Sequence, residues 1–290
     1  MSALSIAVVT GGRSTQQAAA ADAPLVAALE RAGAHVERPS WRDDTDWSRF
    51  DGAIVRSTWD YSDDRDAFVA WAVAVEATTV LWNPADVLRW NTHKGHLMEL
   101  EERGAPVVPT AWLGRGDVVD LASLRAARGW GPVVCKPAVA NGGDGLRVAG
   151  DDPTGDQAHL EELLAAGDVL VQPLLGRVAT EGETSVVVID GEVSHLIRKL
   201  PAPGEVRVQN HRGGAYERVE ITGDDAEAAA LALWVVEATG QELLYARVDL
   251  LRADDGTWQL GELELTEPDL YLRFAPQAAD RLAAALLTRV

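Results

Sequence analysis

The strongest chemical signal lies near the C-terminal end of the chain, where Arg247-Val248-Asp249 is followed by Glu262-Leu263-Glu264. Residues two apart on a strand point to the same face, so Arg247 projects with Asp249, and Glu262 with Glu264. Asp255-Gly256 between the two runs is a turn signal, and folding the chain there lays the two pairs side by side. Three carboxylates beside one guanidinium leave excess negative charge, which a divalent cation resolves. Magnesium takes a few carboxylates together with phosphate oxygens. The pattern therefore points to a nucleotide site with Asp249, Glu262 and Glu264 as metal ligands. The competing reading is an exposed salt-bridge ladder, and the apolar neighbours Leu250, Leu251, Leu260, Leu263 and Leu265 argue against it.

A second signal is Lys136-Pro137 followed by the loop 138–147, AVANGGDGLR. Gly142 and Gly143 let backbone N–H groups approach a polyphosphate closely. Alone, such a loop more often just connects strands, and it is not the Walker type, which needs Gly-Lys-Ser/Thr opening a helix. The stretch 11–15 (GGRST) also fails that test and reads as a turn. Lys94, Lys136 and Lys199 are the only lysines in the chain, and each sits near a candidate nucleotide feature. Glu183 follows an apolar run and is poised either for ribose hydroxyls or for an ordinary polar turn. Arg207, Arg212 and Gly213-Gly214 form a basic stretch able to close over an anion. The run from Arg56 through Trp59 to Tyr61 (RSTWDY) stands at a strand end, where α/β sheets bind ligands. His93 and His96 lack a third ligand and read as exposed helix residues. Neither His195 nor His211 has a nucleophile nearby, and no nucleophile elbow is present.

The elements that must position these residues fall into two parts. Ser5–Thr10, Gly52–Ser57 and Val80–Trp82 are strands. A helical face at Leu25, Val26 and Leu29 and a helix over Asp66–Ala77 alternate with them, which implies a parallel sheet. A polar helix over Thr92–Arg103 then leads to Pro106 and Pro109, and the domain boundary is set at residues 92/93: 1–92 for substrate, 93–290 for nucleotide. Beyond it, strands are expected at Pro132–Lys136, Leu146–Ala149, Val169–Gln172, Thr184–Ile189 and Val193–Leu200, the last two joined by Asp190-Gly191. Leu243–Leu251 and Trp258–Leu265 form a second hairpin. Helices over Asp224–Thr239 and Pro276–Arg289 are expected to cover these strands.

A net charge of −19 opposes binding to nucleic acid or an anionic membrane, yet leaves room for a nucleotide held by local cations and magnesium. No apolar run reaches the ~20 residues of a membrane span, and Met1 to Thr10 reads as a strand rather than a leader. The lone Cys135 lies in an apolar strand, so a buried thiol in a reducing cytoplasm is expected. A homodimer is compatible with all of this.

Taken together, these residues resemble the ATP-grasp superfamily. The run 246–251 (ARVDLL), with Glu262-Leu263-Glu264 at a thirteen-residue step from Asp249, is similar to the magnesium segment of D-alanine–D-alanine ligases. Those carry Asn at the place of Glu264, and end in Pro-Gly where this chain has Glu267-Pro268-Asp269. A nearer likeness, from about Arg56 to Leu272, is to the O-ureido-D-serine cyclo-ligases of cycloserine biosynthesis. It rests on RSTWDY, Trp90-Asn91 through Lys94, Gln172-Pro173, Gly182-Glu183, Ser194-His195 and ELELTEP over 262–268. The resemblance implies an α/β ATP-grasp fold, with an N-terminal α/β preATP-grasp domain and two α+β ATP-grasp subdomains clamping ATP. It implies Lys94 and Lys136 on phosphate and adenine, beside Gly142 and Gly143 of the glycine loop as the candidate phosphate cover. Gln172 to Leu174 would line the adenine pocket, Glu183 would hold ribose, and Lys199 would reach the phosphates. Asp249, Glu262 and Glu264 would bind two magnesium ions, and Arg247 would stabilise charge at an acyl phosphate. Arg56, Trp59, Tyr61, Arg207, Arg212 and Glu267 are the expected substrate contacts. The implied activity is coupling of a carboxylate to an amine with release of ADP and phosphate, on a small amino-acid-like substrate. An intermolecular amino-acid ligase, or an ATP-binding regulator without turnover, are the alternatives.

Overall fold

The apolar run Ser5–Thr10 forms strand β1, buried throughout after Ser5, as a strand covered on both faces should be. The computed structural model describes residues 3–12, 16–209 and 213–290. After β1 come α1 (Gln16–Arg31), β2 (His35–Glu37), β3 (Gly52–Ser57), α2 (Arg65–Glu76) and β4 (Val80–Trp82). Their strands make a parallel sheet in the order β2-β1-β3-β4, as the alternating pattern requires. Two short helices, α3 (Ala85–Asn91) and α4 (His96–Glu102), lead to the second sheet.

That sheet contains β5 (Ala111–Leu113), β6 (Val133–Pro137), β7 (Arg147–Ala149) and β8 (Val169–Pro173), paired antiparallel as β5-β8-β6-β7. Helices α5 (Leu121–Arg128) and α6 (Pro153–Ala166) belong to this lobe, whose core includes Leu121, Cys135, Leu160 and Val171. A short α7 (Val178–Glu181) precedes β9 (Glu183–Ile189), β10 (Glu192–Leu200) and β11 (Ala215–Val219). Then come α8 (Asp224–Ala238), β12 (Tyr245–Arg252), β13 (Trp258–Glu264) and α9 (Pro276–Leu287). The third sheet runs β11-β10-β9-β12-β13, antiparallel throughout. Asp190 (φ 53°) and Gly191 (φ 73°) both take positive φ, the tight turn expected between β9 and β10.

Three sequence expectations change. The single helix over Thr92–Arg103 is instead a turn over 92–95, directly after α3, followed by α4. The Lys94 N–H leaves the helical ladder to donate to the Ala138 carbonyl at 2.8 Å, so the turn is bought by a tertiary bond that sequence periodicity does not show. Helix α9 does not simply cover the C-terminal strands. It packs on α1, where Leu25 and Leu29 share a core with Leu282 and Leu286 and Arg31 meets Asp280 at 2.6 Å. The strands β2, β5 and β11, and the helices α5 and α6, were not marked by pattern at all.

Candidate active site

The β12–β13 register sets Arg247 opposite Glu264 and Asp249 opposite Glu262. The ladder slips between Asp249 and Leu250, with Gly261 as the extra residue, and a β-bulge of this kind re-aims the side chains beside it. A Cβ at Gly261 would stand 3.1 Å from the Leu251 side chain, a contact that glycine avoids. All four charged residues line one cavity of about 450 Å³. Carboxylate oxygens of Asp249, Glu262 and Glu264 lie within 4.8 Å of one another.

Each acid has a cation beside it. Arg247 holds Asp249 at 2.8 Å and also bonds Glu264. Lys199 pairs with Glu183 and stands 3.4 Å from Asp249, while Ser185 donates its hydroxyl to Asp249. Lys94 lies 3.1 Å from Glu262 and donates to the Ala140 carbonyl at 2.7 Å. Burial alone would raise every one of these carboxyl pKa values. For Asp249, Arg247 and Lys199 overcome it and hold the group well below its usual range. For Glu262, Lys94 and Lys136 outweigh burial and lower the group's pKa. Glu264 is pushed well up by burial and by Glu262 and Asp249, against the pull of Arg247. Burial lifts Glu183 to about 7 despite Lys199, and Glu267 to about 8 despite Lys94 and Arg247. The cluster is an array of hard oxygens at short range on the wall of a cavity. That donor set fits magnesium.

The rest of the cavity suits a nucleotide. Lys136, at the end of β6, faces it without an ion pair among the described residues, and burial lowers its pKa. Gly142 (φ 59°) and Gly143 (φ 76°) are in the left-handed region on the loop bordering the cavity. Leu146, Leu174 and Val178 give an apolar wall beside Gln172, whose amide donates to Thr110 Oγ1 at 2.9 Å. Lys199 and Glu183 also line the cavity.

Among the expected substrate residues, Trp59, Tyr61 and Glu267 line the cavity. Arg56 does not. Its side chain is buried beneath the site, donating to the Pro268 carbonyl at 2.8 Å and standing 3.9 Å from the buried Asp22. The strand-end position thus supports the wall rather than forming it. Arg207 borders the cavity but is paired with Glu205 at 2.7 Å. Arg212 and His211 lie outside the described residues, as do positions 13–15 of the GGRST turn. His96, expected on an exposed helix face, is instead 2% exposed and lines the cavity. Tyr271 and Gln17 also line it and carried no sequence signal. Tyr271 has φ 50°, unusual for a bulky residue, and its ring stands 5.6 Å from the Arg247 guanidinium.

A family model for the N-terminal domain of D-cycloserine synthetase DcsG matches residues 6–83, and one for the ATP-grasp domain of prokaryotic glutathione synthetase matches residues 117–254. The cycloserine biosynthesis protein DcsG of Streptomyces lavendulae is 33% identical over 278 residues, covering 92% of this chain and 93% of that protein. The chain belongs to the DcsG family of ATP-grasp ligases. The crystal structure of D-cycloserine synthetase DcsG matches with a TM-score of 0.86 over 98% of this chain and 99% of that one, at 31% identity. A D-alanine–D-alanine ligase from Bacillus anthracis in complex with ATP has a TM-score of 0.76 at 18% identity, covering 99% and 97%, a likeness of fold. A glutathione synthetase of Prochlorococcus marinus is 31% identical over 192 residues, 65% of this chain and 57% of its own. As a member of this family the chain is an ATP-dependent ligase that forms C–N bonds, on the fold that the sequence motifs imply.

Proposed function

We propose that the chain closes a ring in a small amino-acid-like substrate of the O-ureido-D-serine type, in cycloserine biosynthesis, through an acyl phosphate. The observation that carries this reading is the cluster Asp249, Glu262 and Glu264, within 4.8 Å, on the same cavity as Lys136 and the glycine loop. An oxygen of the substrate carboxylate attacks the γ-phosphorus of ATP, and ADP leaves. The ureido nitrogen that is bonded to oxygen in the same molecule then attacks the acyl carbon and gives up its proton, and phosphate departs with the former carboxylate oxygen. Two magnesium ions on the three carboxylates would neutralise the phosphate oxygens when bound. Lys94, Lys136 and Lys199 supply the remaining positive charge, with Gly142 and Gly143 closing over the phosphates. Gln172 and Leu174 hold the adenine and Glu183 the ribose. Arg247, anchored by Asp249, Glu264 and the Asp269 carbonyl, offers its positive charge and the remaining Nη1 hydrogen to the oxyanion of the tetrahedral intermediate. Trp59, Tyr61 and Glu267 meet the substrate, the last as partner of its ammonium group. Residues 1–92 form the preATP-grasp domain, which supplies Trp59 and Tyr61, and 93–290 the ATP-grasp domain, which binds the nucleotide and supplies Glu267. No helix among the described residues is long and apolar enough to cross a membrane, and the buried Cys135 thiol, pushed up to about 11 by burial, suits a reducing cytoplasm.

The test is Glu262→Gln, which keeps shape and removes the charge that a metal needs. Melting curves with and without Mg-ATP, beside an ADP-release assay, should show loss of turnover and a smaller Mg-ATP stabilisation. A variant that keeps magnesium-dependent turnover would contradict the site.

A further inference from the structure

The chain leaves β13 at Glu264 and runs through residues 265–271 without regular secondary structure. Such a stretch has no ladder to satisfy its carbonyls, and a buried carbonyl left without a donor is costly. Here six consecutive carbonyls are each met by a side chain. Asn83 donates to Leu265 O at 2.7 Å, and the Tyr245 hydroxyl is shared between Thr266 O at 2.9 Å and Val55 O at 2.8 Å. Trp59 Nε1 meets Glu267 O at 3.1 Å, Arg56 meets Pro268 O at 2.8 Å, and Arg247 Nη1 lies 3.4 Å from Asp269 O. His195 Nε2 completes the series at 2.9 Å from Leu270 O. The donors come from the first domain and from two strands of the third sheet, so the run is stitched from both sides.

What the run carries faces the cavity. Glu267, Asp269 and Tyr271 line it at alternate positions, while Leu265 and Leu270 are buried in the cores. Tyr271 is kept at its positive φ with its N–H on Asp269 Oδ1 at 2.8 Å. With every carbonyl pinned, the alternation cannot slip, and the wall that meets the substrate is preset. We infer that residues 265–271 form a substrate-reading strap, and that His195 and Arg56, neither of which touches the cavity, are positioning residues for it. His195 acts only through Leu270 O, because its other nitrogen, Nδ1, is engaged by the Ser194 hydroxyl at 3.0 Å. The inference rests on the ligase reading above for the identity of the substrate.

His195→Leu removes the donor, and His195→Gln offers a side-chain N–H in its place. Hydrogen exchange of the nucleotide-free proteins, with Michaelis constants for O-ureido-D-serine and for ATP, separates positioning from simple stability. In the leucine variant, exchange should quicken within 265–271, and the KM for O-ureido-D-serine should rise about two- to tenfold, the worth of one hydrogen bond. The KM for ATP should stay the same, and the glutamine variant should restore the first constant. Unchanged exchange over 265–271 overturns the inference. So does faster exchange with an unchanged substrate KM, or an equal rise in both constants with no rescue. A wild type inert toward O-ureido-D-serine contradicts the substrate reading instead. The exchange result then decides the strap by itself: protection in wild type that is lost in the leucine variant upholds it, and its absence ends it.

Discussion

Lys94 beside Glu262, and Lys199 between Glu183 and Asp249, mean that the acids of the site meet their cations before any ligand arrives. The exposed salt-bridge ladder weighed against a metal site is thus half present, but buried: Asp249 is 1% and Arg247 8% exposed. Glu267 differs from these acids in having no ion pair among the described residues, and burial raises its pKa to about 8. The sign of its effect on stability follows. Below the unfolded-state pKa, near ~4.5, both states hold the proton and the contribution is complete. As pH rises toward 8 the unfolded chain releases the proton while the folded chain keeps it, so stability is lost through that window, and Glu183 adds to the loss up to about 7. Glu267→Gln removes its share. In urea titrations of nucleotide-free protein, the variant should gain on wild type by roughly 1.4 kcal/mol per pH unit between about pH 5 and 8. Parallel stability curves for the two proteins would show that Glu267 is not protonated in the fold.

At the level of elements, the glycine loop gives the sharpest expectation. Gly142 has open space for a side chain, whereas a Cβ at Gly143 would meet the Gln209 side chain at 3.2 Å; both have positive φ. Valine at either position therefore strains the backbone by ~1–2 kcal/mol and puts bulk where phosphate must approach. The KM for ATP should rise roughly tenfold, while the strain lowers the melting temperature of the bare protein by only about a few degrees. Unaltered ATP kinetics would make the loop a connector only. The β12–β13 hairpin was legible in the sequence except for its bulge at Gly261, because period-two spacing, a turn signal and a run of acids are all local. So were the first parallel strands and the Asp190-Gly191 turn. The break at Lys94 was not, since a bond to Ala138 across the fold overrides helical periodicity. Nor were β2 and β5, at three residues each too short to show a period. Arg56 was legible as a motif residue but not in its role. A strand end points toward a site, and only the packed structure shows the guanidinium turned onto Pro268 and Asp22.

Over the whole molecule, a surplus of acid surrounds a cavity furnished with all of the chain's lysines, so charge selects against polyanions while the site still favours a magnesium-bound triphosphate. Helix α9 returns to α1 and joins the end of the chain to its beginning. The strap at 265–271 ties the first domain to the third sheet, so the proposed substrate wall and the proposed magnesium cluster share one frame. Such a frame is what transfer of a phosphoryl group from nucleotide to substrate requires, because positioning and charge neutralisation do most of the work there. The claim that the substrate carboxylate becomes an acyl phosphate can be followed atom by atom. O-ureido-D-serine labelled with oxygen-18 in its carboxylate is turned over with Mg-ATP, and the products are read by phosphorus-31 NMR. One labelled oxygen is expected in the released inorganic phosphate, with ADP as the nucleotide product. Label in AMP, or phosphate free of label, would contradict it.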